Sequence, residues 1–391
     1  YITIQAGTLS NGVVTWGTAE VVNSTYSMLP SITSGENQVV FTWNSFSYPN
    51  YYYYLRTATI SGTTITLGSQ GNFQAIGGTT TTRRENGSIC YDSNAQRIMY
   101  SYSFNDNPNG ELYIATAQFN TGLGGVSNAS TPQKVDDLKA VGNIPPNSIL
   151  VYDENAQRVV ILYAKMNSST GSGYPVCRVL QINNNTTTIG ALTEVESSSY
   201  VMNVSTQPNG VYDPINQKVV FIFTKDSPNR PYYFIATTTG GSTNTVATTT
   251  PVIIVDRETK YGIYYNNDKS RINIIVNQGS NPNRNIGVRV YSSNGSSLTL
   301  DTTASSSSTA QFYGGQIGSA YKSGSGAVYY TTINGVDAMA QVTSTYNTVT
   351  SSNLTTNNFF GIASTTASTT EPVGVNRSGS FNNNQSGMTA G

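Results

Sequence analysis

The sequence predicts an all-β protein built from a repeated four-stranded unit, and three observations support this prediction. One line recurs three times, as "ICYDSNAQRIMYSY" from Ile89, "LVYDENAQRVVILY" from Leu150 and "GVYDPINQKVVFIF" from Gly210. Within each copy, apolar residues recur with a period of two, which is typical of a strand. Pro, Gly and Asn separate such segments at regular intervals, as turns do. A period of a few tens of residues indicates a repeat architecture.

The first apolar residue after the recurring turn serves as the anchor of each repeat, and weaker copies extend the series to six. The positions beside the anchor are also largely apolar, as at Val160 and Leu162. These strands are therefore expected to be covered on both faces. The anchors, 53 to 61 residues apart, are Val39, Ile98, Val159, Val219, Ile272 and Val328.

Each repeat begins with a short strand that ends in Tyr-Asp. The carboxylates of Asp92, Asp153 and Asp213 are predicted to accept backbone N–H groups two residues further on, because a short acidic side chain stabilises a tight turn in this way. Asn266 and Lys322 stand at this position in the later repeats. The anchor strand follows as the second strand.

A Pro-Asn turn is predicted after the anchor strand, with Pro at the first central position and Asn at the second. It leads into a third strand, and a glycine turn such as Ser61-Gly62 or Asn294-Gly295 leads into the fourth. The Pro-Asn pairs are Pro49-Asn50, Pro108-Asn109, Pro228-Asn229 and Pro282-Asn283.

Four antiparallel strands per repeat predict the blade of a β-propeller. Immunoglobulin-like modules need about 100 residues each, and a β-solenoid needs much shorter rungs. Residues 1–22 match the second half of a repeat, so we expect its first half to precede residue 1. Residues 23–357 form six blades, and 358–391 read as a linker or the start of a following β-module. Seven blades are expected in all, with six as the alternative.

Composition restricts the possible functions. Charged residues make up 10% of the chain, against about 25% in ordinary globular proteins. The formal net charge is +0, so no basic surface suggests nucleic acid. No apolar run approaches the roughly 18 residues of a membrane helix. Cys90 and Cys177 fall in predicted strands of adjacent repeats and are expected to be buried small side chains and not a disulfide.

The sequence predicts no enzyme. It contains no histidine, which removes the usual general base and the commonest metal ligand. The carboxylates Glu85, Asp136 and Asp137 are interpreted as solvated loop residues. The stretch "NDNPNGE" at 105–111 has some letters of a calcium loop, but it is already explained as a hairpin turn, so no metal or cofactor is predicted.

The repeats resemble the propeller regions of bacteriophage virion proteins, especially tail-fibre-like proteins of marine phages. The resemblance rests on "GVYDPINQKVVFIF", "SGTTITLG" and the C-terminal "FFGIASTTAS" and "GMTAG", and it covers about residues 1–363. It implies an extracellular location on the virion surface, in several copies or as a homo-oligomer. Other virion proteins and a host-surface polysaccharide are the implied partners, without insertion into a membrane.

One face of the predicted propeller gathers the loops between second and third strands and the crossings between blades. Aromatic rings there could stack on sugars, and amides and guanidinium groups could bond their hydroxyls. The expected function is glycan attachment to a host. The alternatives are docking to another virion protein, a secreted bacterial lectin or adhesin, and lastly a propeller glycosidase. Any single tyrosine could instead fill a gap between blades. The candidate ligand residues are Tyr48, Asn50, Tyr51, Tyr52, Asn109, Tyr174, Arg230, Tyr232, Asn283 and Arg284.

Overall fold

A computed structural model describes the chain at 2–10, 13–23, 27–36, 38–47, 50–73, 83–106, 109–120, 125–127, 129–139, 147–166, 173–196, 202, 206–225, 229–239, 244–256, 261–278, 285–305, 318–322, 326–333, 336–342, 362–363 and 375–376. Within these ranges the regular structure is entirely β. None of the described segments is a helix that could cross a membrane. The chain divides into two compact units, Tyr1–Ser344 and Thr345–Gly391.

The described strands of the first unit comprise a short opening group and six antiparallel sheets, which we name blades A to F. The opening group holds β1 (Ile2–Ile4), β2 (Gly7–Ser10), β3 (Val13–Trp16) and β4 (Glu20–Asn23). Blade A holds β5 (Ser27–Gly35), β6 (Gln38–Ser47), β7 (Asn50–Ser61) and β8 (Thr64–Phe73). Blade B holds β9 (Arg83–Asp92), β10 (Arg97–Asp106), β11 (Asn109–Phe119), β12 (Val126–Ser127) and β13 (Gln133–Lys139).

Blade C holds β14 (Ser148–Asp153), β15 (Arg158–Met166), β16 (Gly173–Asn183), β17 (Thr186–Ile189) and β18 (Thr193–Glu194). Blade D holds β19 (Asn209–Asp213), β20 (Lys218–Lys225), β21 (Arg230–Thr239), β22 (Thr245–Thr248) and β23 (Val252–Ile253). Blade E holds β24 (Tyr261–Asn266), β25 (Arg271–Gln278), β26 (Asn285–Ser293) and β27 (Leu298–Ser305). Blade F holds β28 (Gly318–Lys322), β29 (Gly326–Ile333) and β30 (Val336–Val342), and in the second unit β31 (Ile362–Ala363) pairs with β32 (Val375–Asn376).

The sheets are arranged as a β-propeller, which confirms the predicted fold class. Each predicted anchor lies in the second strand of its own sheet, and consecutive strands pair antiparallel. The first strands of blades A to F lie beside one another in chain order. Sheets standing side by side around their first strands are the propeller arrangement. The number of blades, six or seven, and the division at 22 and 357 stay predictions.

The hydrophobic core lies between neighbouring blades. In β15, Val159, Ile161 and Tyr163 pack against blade B. The alternate residues Val160 and Leu162 pack against blade D. All five are fully buried, which confirms that the second strands are covered on both faces. Since successive side chains of a strand point to opposite faces, one second strand contributes to two inter-blade clusters.

The fourth strand departs from the prediction, because in blades B, C and D it is split into two short strands. In blade B, β12 pairs with the end of β11 and β13 with its beginning. Between them, the Ser130 amide donates to the Thr116 carbonyl and the Ser130 hydroxyl accepts from the Thr116 amide. Thr249 makes the same two bonds to Ile235 in blade D. A hydroxyl thus supplies the ladder bond that the interruption removes.

The two residues of the recurring Tyr-Asp pair have different roles. The aspartate accepts N–H groups of the turn that follows it, and in blades C and D the tyrosine hydroxyl accepts an N–H group of the corresponding turn in the preceding blade. The Oδ1 atom of Asp92 accepts the backbone N–H groups of Asn94 and Ala95, at 3.0 and 2.9 Å. This confirms the predicted role of the aspartate. The hydroxyl of Tyr152, in blade C, accepts the Asn94 N–H at 3.3 Å. Tyr212 of blade D likewise accepts the Asn155 N–H in blade C, at 3.1 Å.

Replacing Asp213 with alanine is expected to lower the free energy of unfolding by about 1–3 kcal/mol, because the N–H groups of the turn lose their acceptor, the buried Asp213 carboxylate. Oδ1 of Asp213 accepts the N–H groups of Ile215 and Asn216. Asp213→Asn should have a smaller effect, since Asn266 already serves this role in blade E, where its Oδ1 accepts the Lys269 N–H. Urea unfolding of both variants tests this, and equal losses would contradict it.

The turns after the second strands of blades A and B differ from the prediction by one residue, whereas Asn229 of blade D lies in the turn before Arg230. Asn50 pairs with Ser47 in the ladder, and Asn109 pairs with Asp106. Both asparagines therefore begin the third strand, and Pro-Asn does not occupy the two central positions there. Pairing of the asparagine in the ladder is favoured over a place in the turn, because a residue that pairs across the hairpin satisfies its backbone hydrogen-bonding groups more fully.

Two further sequence expectations are confirmed. Cys90 and Cys177 are both free and buried, and burial raises the pKa of each thiol. The glycine turns have the positive φ that glycine adopts most readily, at Gly62 and Gly295.

Candidate functional site

The structure describes only part of the predicted ligand face. Tyr48, Asn283 and Arg284 lie outside the described residues. Asn50, Tyr51 and Tyr52 lie in β7 and Asn109 begins β11, so their backbones belong to strands and not to loops. The candidates whose side chains the structure describes are Tyr174, Arg230 and Tyr232.

Tyr174 and Arg230 lie on one edge of blades C and D, which we call the rim. The rim consists of Lys165, Gly173, Tyr174, Met202, Lys225 and Arg230. Tyr174 is the cross-strand partner of Lys165. Met202 bridges Gly173 of blade C and Lys225 of blade D. Lys225 in turn pairs with Arg230. Backbone pairing therefore runs across the rim from one blade to the next and holds it in a fixed geometry.

Tyr232 and Arg230, both in β21 of blade D, have different surroundings. The ring of Tyr232 is half-buried and stacks on Phe223, with centroids 6.1 Å apart, and packs against the cluster between blades C and D. This is the position of a tyrosine that fills a gap between blades. Arg230 instead forms an ion pair with Asp256 at 2.5 Å, and 34% of its side chain is exposed. Exposed pairs of this kind are weak, so the guanidinium remains accessible to a ligand.

Sequence reasoning missed a charged cluster between blades B and C. Asp136 lies in β13 and not in a loop, and its side chain is only 10% exposed. Its Oδ2 accepts the Tyr163 hydroxyl at 2.7 Å, and both oxygens accept Lys165 at 3.1 Å. Arg178 donates from Nε to the Tyr163 hydroxyl at 3.0 Å and lies 3.5 Å from Asp136.

The other two carboxylates that the sequence suggested as loop residues also lie in strands. Asp137 follows Asp136 in β13, and Glu85 lies in β9. The signal that could have revealed the cluster is the period of two, because Lys165 follows Tyr163 on the face that packs against blade B. A cation at the end of a buried row requires a partner from the facing blade.

The surroundings of Asp136 keep its carboxyl ionised. Burial alone would raise its pKa, but the hydrogen bonds from Tyr163 and Lys165 and the charges of Lys165 and Arg178 hold the pKa below its usual value. Burial and the adjacent Asp136 charge raise the pKa of Tyr163. Asp136 is therefore an acceptor, and Tyr163 stays protonated as its donor.

Tyr174 lies beside this cluster and near a second carboxylate, that of Glu194. Its pKa is raised by burial, by the charges of Glu194 and Asp136, and by a hydrogen bond with Glu194. Glu194 is exposed and pairs with Val176 in the ladder. The rim thus presents an aromatic ring with a cation and a carboxylate beside it.

The described residues contain no group of three or more His, Cys, Asp or Glu side chains that could hold a metal ion. The calcium-like stretch forms the end of β10 and the start of β11, where Asn105 pairs with Gly110. The Glu111 carboxylate accepts Tyr113 and Lys134. The Glu111 carboxylate is thus paired with a hydroxyl and a cation.

Comparison with known proteins supports the fold. No protein-family model matches the sequence, and no curated protein sequence matches it either. Among solved structures, the chain is similar to the NanB sialidase from Streptococcus pneumoniae in complex with 2-[(3-chlorobenzyl)ammonio]ethanesulfonate. The TM-score is 0.51 at 8% identity, over 81% of this chain and 67% of that chain. The likeness lies in the β-propeller.

Proposed function

We propose that this chain is a glycan-binding β-propeller without catalytic activity, displayed on the surface of a bacteriophage particle, where it attaches the particle to a host polysaccharide. The observation that carries the proposal is the rim, on which the Tyr174 ring lies beside Lys165 and the Arg230 guanidinium remains exposed. Flat rings with hydrogen-bonding neighbours suit sugars.

The low charge of the chain fits this role. Exposed charges are screened within about 8 Å at physiological salt, whereas stacking and hydrogen bonds persist in salt water. Single contacts of this kind are weak, so several copies on one particle multiply a modest affinity through avidity. Other virion proteins are the partners that hold the copies together.

Arg230→Ala is expected to lower the affinity for a bound glycan about tenfold, because it removes a charge-assisted hydrogen bond. Glycan-array screening of the purified chain, followed by calorimetry on the glycan that binds, measures the effect. Arg271→Ala is the matched control, since Arg271 is also ion-paired, to Asp301, and 34% exposed, but lies at the opposite end of its blade. Equal losses in both variants would contradict a site on the rim.

A glycosidase is the second candidate, favoured by the likeness to a protein named a sialidase. Two features oppose it: the chain has no histidine, and the Asp136 carboxyl has a lowered pKa and occupied oxygens, which disfavours proton donation. Incubation with bacterial polysaccharides should release no reducing ends. Release that disappears in Glu194→Gln would establish the enzyme instead.

The structural alternative is docking of the same face to another virion protein. Electron microscopy of the intact particle distinguishes the two. A rim directed outward at a tail or fibre tip supports attachment, whereas a rim buried against capsid or tail subunits supports docking and contradicts attachment.

A further inference from the structure

The end of the interface between blades B and C that lies directly beside the rim has the chemistry of a sugar subsite. We call this region the B–C cleft and define it by Asp136, Lys165, Tyr174, Arg178 and Glu194. Lys165 and Tyr174 are cross-strand partners, and Tyr163, which shares the face of Lys165, packs against blade B. Glu194 pairs with Val176, another residue of that face. Paired residues point to the same side of a sheet, so these side chains share the cleft.

Lys165 provides a fixed donor in the cleft. An ammonium group carries three hydrogens, and the contacts of Lys165 within the described residues are the two oxygens of Asp136. Asp136 is itself held by Tyr163 and by the Asp137 amide. The Lys165 side chain is 31% exposed. One N–H group therefore remains for solvent or ligand, in an orientation that the buried carboxylate sets.

Glu194 provides an acceptor near the same ring. It is exposed, and a carboxylate offers roughly four lone-pair sites to hydrogen-bond donors. The half-buried Tyr174 ring therefore has a donor and an acceptor as neighbours. Tyrosine loses little conformational freedom on binding, which suits it as a stacking surface.

The charges of the cleft cancel. Lys165 and Arg178 are cations, and Asp136 and Glu194 are anions. An uncharged ligand leaves this balance unchanged, whereas a ligand carboxylate would meet Glu194. We propose that the B–C cleft is a subsite for one uncharged, hydroxyl-rich sugar ring, which stacks on Tyr174, accepts from Lys165 and donates to Glu194. This inference rests on the proposed function and adds the sugar class that the site selects.

The test uses the purified full chain and calorimetry with neutral gluco-, galacto- and manno-oligosaccharides and with an oligogalacturonate. A neutral oligosaccharide should bind about tenfold more tightly than the oligogalacturonate. Tyr174→Phe should retain neutral binding within about threefold, whereas Tyr174→Leu, which keeps the apolar packing but removes the ring, should lose about tenfold. Glu194→Gln, at an exposed position, should improve oligogalacturonate binding and so reduce the preference for the neutral oligosaccharide.

The outcomes separate this inference from the proposed function. Tighter binding of the oligogalacturonate to the native chain, or a preference that Glu194→Gln leaves unchanged, would overturn the subsite while glycan binding stands. Equal affinities of Tyr174→Phe and Tyr174→Leu, at unchanged thermal stability, would also overturn it. Binding of no saccharide by the native chain would overturn both.

Discussion

Replacing Phe221 with alanine is expected to lower the free energy of unfolding of the propeller by about 3–5 kcal/mol. Phe221 is fully buried in β20 at the interface of blades C and D. Its ring stacks on Phe234 with centroids 5.4 Å apart. Truncation removes the transfer free energy of the ring and leaves a cavity that the paired strands cannot close, because their positions are fixed by the ladder on both sides.

Urea unfolding followed by tyrosine and tryptophan fluorescence measures this loss. Ile215→Ala is the matched control in the same blade, since Ile215 is 66% exposed and its truncation should change the free energy by less than about 0.5 kcal/mol. A loss below about 1 kcal/mol in Phe221→Ala would show that blades C and D do not depend on this interface.

Gly210 shows how tightly the same interface is packed. A Cβ atom there would lie 2.7 Å from the Phe221 ring and 2.8 Å from the Val151 side chain. The glycine of "GVYD" therefore permits close approach of β19 and its neighbours. The Phe221 ring and the Val151 side chain can both approach β19 this closely only because position 210 lacks a side chain.

The blade architecture could be predicted from the sequence because the signals that determine it are local. Val159 to Tyr163 are apolar without interruption, and such a strand must be covered on both faces whatever surrounds it. The Asp153 turn is equally local: its Oδ1 accepts the Ala156 N–H three residues away. Contacts within a few residues are determined by spacing alone, so the repeat revealed them.

The contacts of the candidate site could not be predicted in this way, because they join residues of different blades. Asp136 bonds Lys165, which lies 29 positions away in the sequence. This contact requires β13, the second part of the split fourth strand of blade B, to pair with the beginning of β11. At the interruption, the Ser130 hydroxyl accepts the Thr116 amide, a contact that no repeated spacing reveals. The hydrogen bond from the Asn94 amide to the Tyr152 hydroxyl could not be predicted either. The sequence repeat identifies the tyrosine but not its partner in the other blade.

Asp136→Asn is expected to lower the free energy of unfolding by about 3 kcal/mol at neutral pH, because it leaves Lys165 and Arg178 without the carboxylate that both share. Asp137→Asn is the matched control. Asp137 is the next residue of β13, but its side chain is 76% exposed and its partner is the exposed Lys134, so the control should lose less than about 1 kcal/mol.

The dependence of this effect on pH tests its electrostatic origin. The pKa of Asp136 is lowered in the folded chain, so the folded state binds its proton less readily than the unfolded chain, whose aspartates have a pKa near 3.9. The stabilisation is therefore complete above that unfolded value and is lost as the pH falls through the lower folded pKa. Urea unfolding between pH 7 and pH 2 should show the native chain and Asp136→Asn converging only at the acidic end. A difference that stays constant over this range would assign the loss to packing and contradict the ion cluster as its source.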